Sequence, residues 1–347
     1  MSQELRKLTT YFGERDRSDG ELLADELFGL YGREQVRVSA MLRGIEGFGH
    51  HHSAHTELLL TMSEDLPVVS VAVDSAERID ALLPQVLALK RRGLVTLERA
   101  RPLGDPLQGD PGSLLPEDLR GQAKLTVFLG RRQRAAGKPA FMTACDLLQR
   151  HGVHGSTVLL GVDGTRDGMR VRARLLGRNM DVPVLVIAVG SGDAIARAAA
   201  DLEIALEQPL MTLERVQVLR RDGERIADLE AFPPVLEYDS VWCQKLTVHS
   251  SEDDRVHGHP LHRVLVQRLR HERLAGATTL RGVWGFHDDQ PPKGDRLWQV
   301  RRHAPVMTVA VDLHERIAEV FAVVEDVAAE RGLVTVETVP VRVLPGA

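Results

Sequence analysis

Apolar and polar positions along the first hundred residues follow two periods in turn, and each change of period marks the end of an element. Residues 7–12 alternate polar and apolar side chains, which predicts a strand. Apolar residues within 22–31 fall on one helical face, and Gly32 can end that helix. Residues 36–42 predict a second strand, and the nearly continuous β-branched run 67–74 predicts a third that is covered on both faces.

A second helix and a last strand complete the pattern. Asp74 and Glu77 have the spacing of a helix cap, and Pro84 predicts a kink. Apolar residues recur every three or four positions along this helix, at Ile79, Leu82, Leu83, Val86 and Leu87. Gly93 ends the helix and residues 94–101 form the last strand. The predicted order is βαββαβ, the ferredoxin-like plan of the α+β class.

This pattern occurs three times in the chain. The tripeptide Lys-Leu-Thr begins each copy at residues 7, 124 and 245, and a glycine-bearing line recurs at 42–49, 159–166 and 280–287. Both motifs place the second copy 117 residues and the third copy 238 residues after the first. Because this period is longer than that of solenoid repeats, each copy is predicted to be a domain of its own.

The predicted boundaries are repeat 1 at residues 1–103, repeat 2 at 122–219 and repeat 3 at 244–347, with linkers at 104–121 and 220–243. The first linker is rich in turn-forming residues and has no apolar stripe. Two-layer units with exposed sheet faces gain most burial by closing on one another, and a closed ring has the symmetry that suits three copies. We therefore expect an intramolecular pseudo-trimer that is a monomer in solution.

Composition narrows the class of protein. The 347 residues are 43% hydrophobic and 27% charged, as in an ordinary globular protein, with a net charge of −5. An acidic chain with 4% aromatic residues is not expected to bind nucleic acid, which requires a basic face. Apolar runs too short to cross a bilayer and a start without a signal-peptide pattern lead us to expect a cytoplasmic location. Cys145 and Cys243 are expected to be packing residues.

Four motifs of repeat 1 carry a family resemblance. They are Lys-Leu-Thr-x-Tyr-Phe-Gly-Glu-x-Asp-Arg at 7–17, Arg-Gly-Ile-Glu-Gly-Phe-Gly at 43–49, Ser-Glu-Asp-Leu-Pro-Val-Val at 63–69 and Gly-Leu-Val-Thr-Leu-Glu at 93–98. In this order they resemble the PII-like family called domain of unknown function 190. Repeat 3 resembles it nearly as well, and repeat 2 resembles it only in outline.

The resemblance implies that the chain is a trimer fused into one polypeptide. Members of the family are single domains of this size, and related PII proteins are trimers that bind nucleotides in clefts between subunits and signal through a mobile loop. Relatives are often encoded beside fluoride-channel-type membrane proteins. The resemblance therefore also implies a membrane channel or transporter as a regulated partner.

A candidate ligand site follows the second predicted strand. An arginine beside glycine amides is a suitable cradle for a phosphate or carboxylate, and the phenylalanines can stack on a base. The alternative is that the glycines form turns, the arginines are solvated and the phenylalanines are apolar plugs. The residues concerned are Arg43, Gly44, Gly47, Phe48 and Gly49 in repeat 1 and Arg281, Gly282, Gly285 and Phe286 in repeat 3.

Charged residues after the first strand extend this candidate site. Glu14 and Arg17 in repeat 1, and Glu252 and Arg255 in repeat 3, either contact a ribose or phosphate or form surface ion pairs. Repeat 2 departs from the pattern, because Leu160 replaces the arginine and Thr-Arg at 165–166 replaces Phe-Gly. One or two working clefts are therefore expected, not three.

Histidines offer a different site. His50, His51, His52 and His55 follow the glycines, and neutral imidazoles at this density can bind zinc, copper or nickel. A second group, His257, His259 and His262, lies in repeat 3. A solvated loop is the other interpretation, because no Cys or carboxylate has the spacing of a structural zinc site. Divalent-metal binding or tolerance is the alternative function.

An enzyme is not expected, since the sequence contains no nucleophile elbow, no Walker-type loop and no nucleophile with a positioned base. We expect a non-catalytic signalling protein that binds a small anionic metabolite between repeats. An adenine nucleotide, with or without a divalent metal, is the foremost ligand. Binding would regulate a partner through loops 44–65 and 282–297. A protein-interaction scaffold without a ligand is the third alternative.

Overall fold

The computed structural model describes residues 4–49, 54–56, 65–90, 93–102, 121–172, 181–229, 240–287, 292–294 and 304–343. Within these ranges the chain is a mixed α/β protein with six helices. None of these helices combines the length and the apolar character needed to cross a bilayer. Cys145 and Cys243 are buried and form no disulfide, and burial raises the pKa of both thiols to about 12.

Repeat 1 contains the six predicted elements and three short strands. They are β1 (Leu5–Gly13), β2 (Arg17–Ser18), β3 (Glu21–Leu22), α1 (Leu23–Arg33), β4 (Val38–Phe48), β5 (Ala54–Thr56), β6 (Pro67–Ser75), α2 (Ala76–Leu89) and β7 (Leu94–Pro102). The N-cap of α2 is Ser75 and not Asp74 as predicted, because the Ser75 hydroxyl accepts the amide of Arg78 at 3.4 Å. Asp74 instead accepts the amide of Arg37 at 2.9 Å.

Repeats 2 and 3 follow the same order. Repeat 2 has β8 (Gln122–Gly130), β9 (Arg134–Ala135), β10 (Lys138–Pro139), α3 (Ala140–Arg150), β11 (Gly155–Leu160), β12 (Asp163–Arg166), β13 (Met169–Arg172), β14 (Pro183–Ser191), α4 (Gly192–Ala205) and β15 (Leu210–Arg215). Two further strands, β16 (Gln217–Arg221) and β17 (Glu224–Arg225), extend into the segment predicted as the second linker. Repeat 3 has β18 (Val241–Ser251), β19 (Arg255–Val256), β20 (His259–Pro260), α5 (Leu261–His271), β21 (Ala277–Arg281), β22 (Trp284–His287), β23 (Lys293–Gly294), β24 (Pro305–Asp312), α6 (His314–Val327) and β25 (Leu333–Val343).

The four main strands of each repeat form an antiparallel sheet with one order. It is β7–β1–β6–β4 in repeat 1, β15–β8–β14–β11 in repeat 2 and β25–β18–β24–β21 in repeat 3. In each repeat, buried side chains from both helices pack with strand residues in one apolar cluster, which in repeat 1 includes Leu8, Leu27 and Ile79. The sequence repeat is thus a structural repeat.

Each repeat also pairs with both of the others. The second half of β4 pairs with β21 of repeat 3, its first half pairs with β12 of repeat 2, and β11 pairs with β22. Since β25 also pairs with β7, the four main strands of repeat 1 and the four of repeat 3 close an eight-stranded barrel. This explains why β4 runs to Phe48, beyond the predicted end at residue 42, because the added residues bond to another repeat.

A buried ring of alternating charges lies where the three repeats meet. Each lysine contacts the glutamate of its own repeat and the glutamate of one neighbour. The Lys7 amine is 2.7 Å from Glu98 and 2.5 Å from Glu214, and the Lys245 amine is 2.5 Å from Glu98 and 3.1 Å from Glu337. Lys124 completes the ring by contacting Glu214 and Glu337.

The ring is electrostatically self-contained. All six side chains are buried, at 5–8% exposure. Burial alone would raise the pKa of Glu98, but Lys245, Lys7 and Lys124 outweigh it and hold that pKa well below its ordinary value. Burial would likewise lower the pKa of Lys245, and the glutamates outweigh that effect. Lys124 differs, because burial outweighs Glu214 and Glu337 there and lowers its pKa. With all six groups charged, the three lysines and three glutamates neutralise one another away from water.

Candidate functional site

A cavity of about 480 Å³ lies between repeats 1 and 3. Repeat 1 supplies the end of β1, the turn after it, the end of β4, the end of α2 and the start of β7, while repeat 3 supplies residues 275–278 and part of strand β24. The volume falls within the usual range for small-molecule sites. Its apolar wall includes Phe12, Leu23, Leu94, Val309 and Val311.

Lys90 is a buried cation on the described wall of this cavity. It follows the last residue of α2 and is 3% exposed. Its amine lies 5.6 Å above the ring centre of Phe12 and 3.9 Å from a carboxylate oxygen of Asp16, too far for a hydrogen bond. Burial lowers the pKa of Lys90 to about 8, although Asp16 acts in the opposite direction. Asp16 is the one carboxylate recorded near this amine in the described part of the chain, so an anionic group in the cavity would give it a partner at hydrogen-bond distance.

The turn after β1 brings further charges to the cavity. Asp16 accepts the amide of Gly13 at 3.1 Å, and Asp65 accepts the amide of Arg15 at 2.6 Å. Arg17 donates to the carbonyl of Gly20 at 2.6 Å. These backbone bonds fix the turn, so the carboxylates of Asp16 and Asp65 are held at the cavity wall.

Gly49 keeps this cavity open. A Cβ atom at Gly49 would meet no other atom within 4 Å. The constant spacing of the repeats makes Arg166 and His287 its counterparts. Both counterparts fill the corresponding space, whereas the glycine leaves it accessible.

Arg166 and His287 occupy positions that match the cavity wall. Arg166 pairs with Asp181 at 2.7 Å and lies against Gly130. In repeat 1 the residue equivalent to Asp181 is Asp65, and the residue equivalent to Gly130 is Gly13.

His287 approaches the carbonyl of Ser250 at 3.4 Å and lies beside Gly155. At the cavity the residue equivalent to Ser250 is Phe12, and the residue equivalent to Gly155 is Gly276. Among the described residues, therefore, the cleft between repeats 1 and 3 has no side chain that fills it as Arg166 and His287 fill the other two clefts.

The predicted arginines form ion pairs beside the second strand. Arg43 donates to Glu14 at 2.9 Å and Arg281 donates to Glu252 at 3.0 Å, which is one arrangement in two repeats. The Arg43 side chain is 50% exposed, and neither arginine belongs to the described wall of the cavity. Arg255 donates to the carbonyls of Glu252 and Asp254 at 2.6 and 3.1 Å. Of the predicted ligand-binding residues, the cavity wall contains Arg17, Phe48 and Gly49.

The predicted glycines admit the strand of a neighbouring repeat. A Cβ atom at Gly47 would lie 2.5 Å from the carbonyl of Ala277, and one at Gly44 would lie 3.1 Å from that of Thr279. Gly282 and Gly285 approach repeat 2 in the same way, with Cβ positions 3.1 and 2.2 Å from the carbonyls of Val158 and Ser156. Close approach between strands accounts for these four glycines.

The two phenylalanines are apolar plugs between repeats. Phe48 of repeat 1 is 4% exposed and packs in the core of repeat 3. Phe286 of repeat 3 is 3% exposed and packs in the core of repeat 2. Thr165 of repeat 2 takes the corresponding position and donates to the Ser39 hydroxyl of repeat 1 at 2.9 Å.

The first histidine cluster falls largely outside the described residues. His50, His51 and His52 lie outside them, and the backbone of His55 pairs with Gly47. In repeat 3, His257 and His259 are exposed, whereas His262 is buried. Among described residues, one group of three has its potential metal-ligand atoms within 4.8 Å of one another, and it consists of Glu98, Glu214 and Glu337. Those carboxylates are already paired with lysines. Metal binding through the histidines stays a prediction.

Sequence reasoning missed Lys90 and the ring of charges. Lys90 directly follows helix α2, as Leu206 follows α4 and Ala328 follows α6, so its signal was a single cation at an otherwise apolar position. The ring was visible as the lysine and glutamate that begin and end each repeat. Only the pairing of the strands shows that these six side chains meet.

Comparison with known proteins places each repeat in one family. The family model DUF190, described as an uncharacterized ACR, matches residues 5–102, 122–218 and 243–341. A UPF0166 protein of Aquifex aeolicus is 29% identical over 96 residues, which are 28% of this chain and 90% of that protein. A UPF0166 protein of Methanocaldococcus jannaschii is 30% identical over 91 residues, 26% of this chain and 83% of that protein. Each relative thus corresponds to about one repeat.

Solved structures give only a weak likeness. A chlorite dismutase of Candidatus Nitrospira defluvii aligns with 61% of this chain and 92% of its own, at 10% identity and a TM-score of 0.20. A putative chlorite dismutase gives a TM-score of 0.19 at 10% identity. Scores this low support neither a shared fold nor a shared chemistry.

Proposed function

The chain belongs to the DUF190 family, and we propose that it is a non-catalytic binding protein that senses a small anionic metabolite in the cavity between repeats 1 and 3. In this proposal the three repeats are ferredoxin-like, PII-like domains closed as a pseudo-trimer, and the foremost ligand is an adenine nucleotide. The observation that supports this proposal most directly is Lys90, a buried amine on the wall of an open cavity, whose nearest carboxylate among the described residues, that of Asp16, is 3.9 Å away.

The position of the cavity suits a sensor. Gly49 and Asp65 both belong to the cavity wall, and they flank segment 50–64 of the chain. A ligand that touches both residues contacts both ends of that segment. Differential contacts of this kind favour one conformation of a loop over another. A partner that reads the loop, such as a membrane channel or transporter, would then respond to the metabolite.

Thermal unfolding of the full chain tests the proposal. The ligands are adenine and guanine nucleotides, cyclic nucleotides and divalent metals, each added separately. A ligand at a hundred times its dissociation constant stabilises the folded state by about 2.7 kcal/mol. Gly49→His, which copies the residue of repeat 3, should abolish the stabilisation because the imidazole occupies the cavity.

Matched variants separate this cavity from other sites. A Cβ atom at Gly121 also meets no other atom within 4 Å, so Gly121→His is the control and should respond like the unaltered chain. Arg43→Ala with Arg281→Ala should leave binding intact, because neither arginine lies on the described cavity wall. Loss of binding in that double variant, with binding retained in Gly49→His, would move the site to the predicted arginine–glycine cradle.

A further inference from the structure

The charges around the cavity limit what it can bind. The described wall holds two cations, Lys90 and Arg17, and three carboxylates, Asp16, Asp19 and Asp65. Lys90 is the buried cation, whereas Arg17 is exposed and its guanidinium is held by the carbonyl of Gly20. Among the described wall residues, carboxylates therefore outnumber cations, and this balance disfavours a polyanion.

Two of the carboxylates are fixed where they are. Asp16 accepts the amide of Gly13, and Asp65 accepts the amide of Arg15, so neither can turn away without breaking the bond that closes the turn after β1. The carboxylate of Asp16 also stays 3.9 Å from the Lys90 amine. A second negative charge on a ligand bound to Lys90 would face these carboxylates and be repelled.

The apolar part of the wall favours an uncharged ligand body. Phe12, Leu23, Leu94, Val309 and Val311 supply apolar surface from both repeats. Such a surface favours an aromatic or aliphatic group, and burying a further charged group against it is unfavourable.

We infer that the ligand of this cavity carries one net negative charge, which contacts Lys90, on an otherwise apolar or aromatic body. This inference rests on the proposed function and narrows its ligand class. A nucleotide of this class is a cyclic phosphodiester, and a nucleoside diphosphate or triphosphate does not belong to it.

Isothermal titration of the full chain without divalent metal provides the test. The ligands are adenosine, cyclic AMP, AMP and ATP, which carry none, one, about two and more negative charges near neutral pH. Cyclic AMP should bind at least about tenfold more tightly than ATP and more tightly than adenosine. Lys90→Met should reduce the affinity for cyclic AMP to that for adenosine. The corresponding Leu206 shows that an apolar residue fits this position.

A second variant tests the repulsion directly. Asp65→Asn keeps an oxygen for the Arg15 amide and removes the charge, so AMP and ATP should gain affinity relative to cyclic AMP. If AMP or ATP binds the unaltered chain more tightly than cyclic AMP, the inference is wrong and the proposed function stands. The inference is equally overturned if adenosine binds best and Lys90→Met has no effect. If none of the four compounds binds, the adenine-nucleotide proposal itself fails.

Discussion

Lys90 gives the cavity a pH dependence that can be measured. Its pKa in the empty cavity is about 8, lowered by burial from the ordinary 10.5. An anionic ligand stabilises the charged amine and so raises this pKa in the complex. Since the complex then holds more protons than the free protein, binding is strongest below pH 8 and weakens as the pH rises above it.

We expect the affinity for the anionic ligand to fall by up to about tenfold per pH unit above pH 8, until the pKa of the complex is reached. Titrations from about pH 7 to about pH 9.5 measure this slope. Lys90→Met should bind more weakly and show no slope in this range. An affinity of the unaltered chain that stays constant over the whole range would show that Lys90 does not contact the charge.

Glu46 is a second titrating residue, at the contact between repeats 1 and 3. It is 5% exposed, and its carboxylate is 4.0 Å from His262 of helix α5. Burial raises its pKa to about 7, although Arg263 acts in the opposite direction. Burial also lowers the pKa of His262 to about 4, so that imidazole is neutral at pH 7. His262 therefore does not offer this carboxylate a positive charge at neutral pH.

Glu46→Gln should stabilise the chain above pH 7. The folded-state pKa of Glu46 is raised above its unfolded value, so its contribution to stability is complete below about pH 4.5 and is lost as the pH rises through 7. We expect the variant to gain on the order of 1 kcal/mol at pH 8 and little at pH 5. Chemical denaturation at both pH values measures this, with the exposed Glu14→Gln as control. Equal gains at both pH values would contradict the assignment.

At the scale of elements, strand β4 shows how the repeats exchange side chains. Its end, Phe48, fills the core of repeat 3, and Phe286 fills that of repeat 2. Repeat 1 receives the small Thr165 instead.

Helix α1 of repeat 1 carries the large side chains Phe28 and Tyr31, whereas the corresponding residues of α3 are Cys145 and Leu148. The two aromatic rings of α1 therefore fill the space that the other two cores fill with a phenylalanine from a neighbouring repeat.

Phe48→Ala should destabilise the chain by about 3 to 5 kcal/mol, since it removes a buried aromatic side chain and leaves a void in repeat 3. Thr165→Val at the corresponding position should lose only its hydrogen bond to Ser39, worth about 1 kcal/mol. Chemical denaturation of both variants measures the difference. Similar small losses in the two variants would mean that Phe48 does not carry the contact between repeats.

Most of the helices and strands could be predicted from the sequence. The six main elements of repeat 1 were predicted from hydrophobic periodicity, because that pattern is local. The ends of β4 and the cap of α2 were not, because β4 is extended by a partner in repeat 3, and Asp74 is drawn from the cap position by the amide of Arg37. Gly44 and Gly47 were identified from the sequence as candidate ligand-binding residues, but their role as points of close approach between strands depends on that same partner strand.

At the scale of the whole molecule, the ring of three lysines and three glutamates ties all three repeats together. Each charge is buried and has partners in two repeats. Removing one member leaves opposite charges buried without full compensation, and that loss is large.

Lys245→Met should destabilise the chain by about 3 to 5 kcal/mol, because Glu98 and Glu337 then lose a shared partner. Replacing the exposed pair of Arg43 and Glu14 by alanines should cost at most about 1 kcal/mol. Urea denaturation of both variants gives the two values. Adding Glu337→Leu to Lys245→Met restores a neutral ring and should recover part of the loss; no recovery would show that charge balance is not the cause.

Local patterns in the sequence specify the three repeats, the order of their elements, the apolar face of each helix and the resemblance to one family. All of these are encoded in neighbouring residues or in motifs that recur at a constant spacing. The pairing of strands between repeats, the cleft that stays open and the charges that meet follow from packing between distant parts of the chain. The contacts responsible join residues as far apart as Lys7 and Glu214, or Lys124 and Glu337, separated by 207 and 213 positions. No local periodicity specifies such a pair, because it depends on how complete sheets pack together.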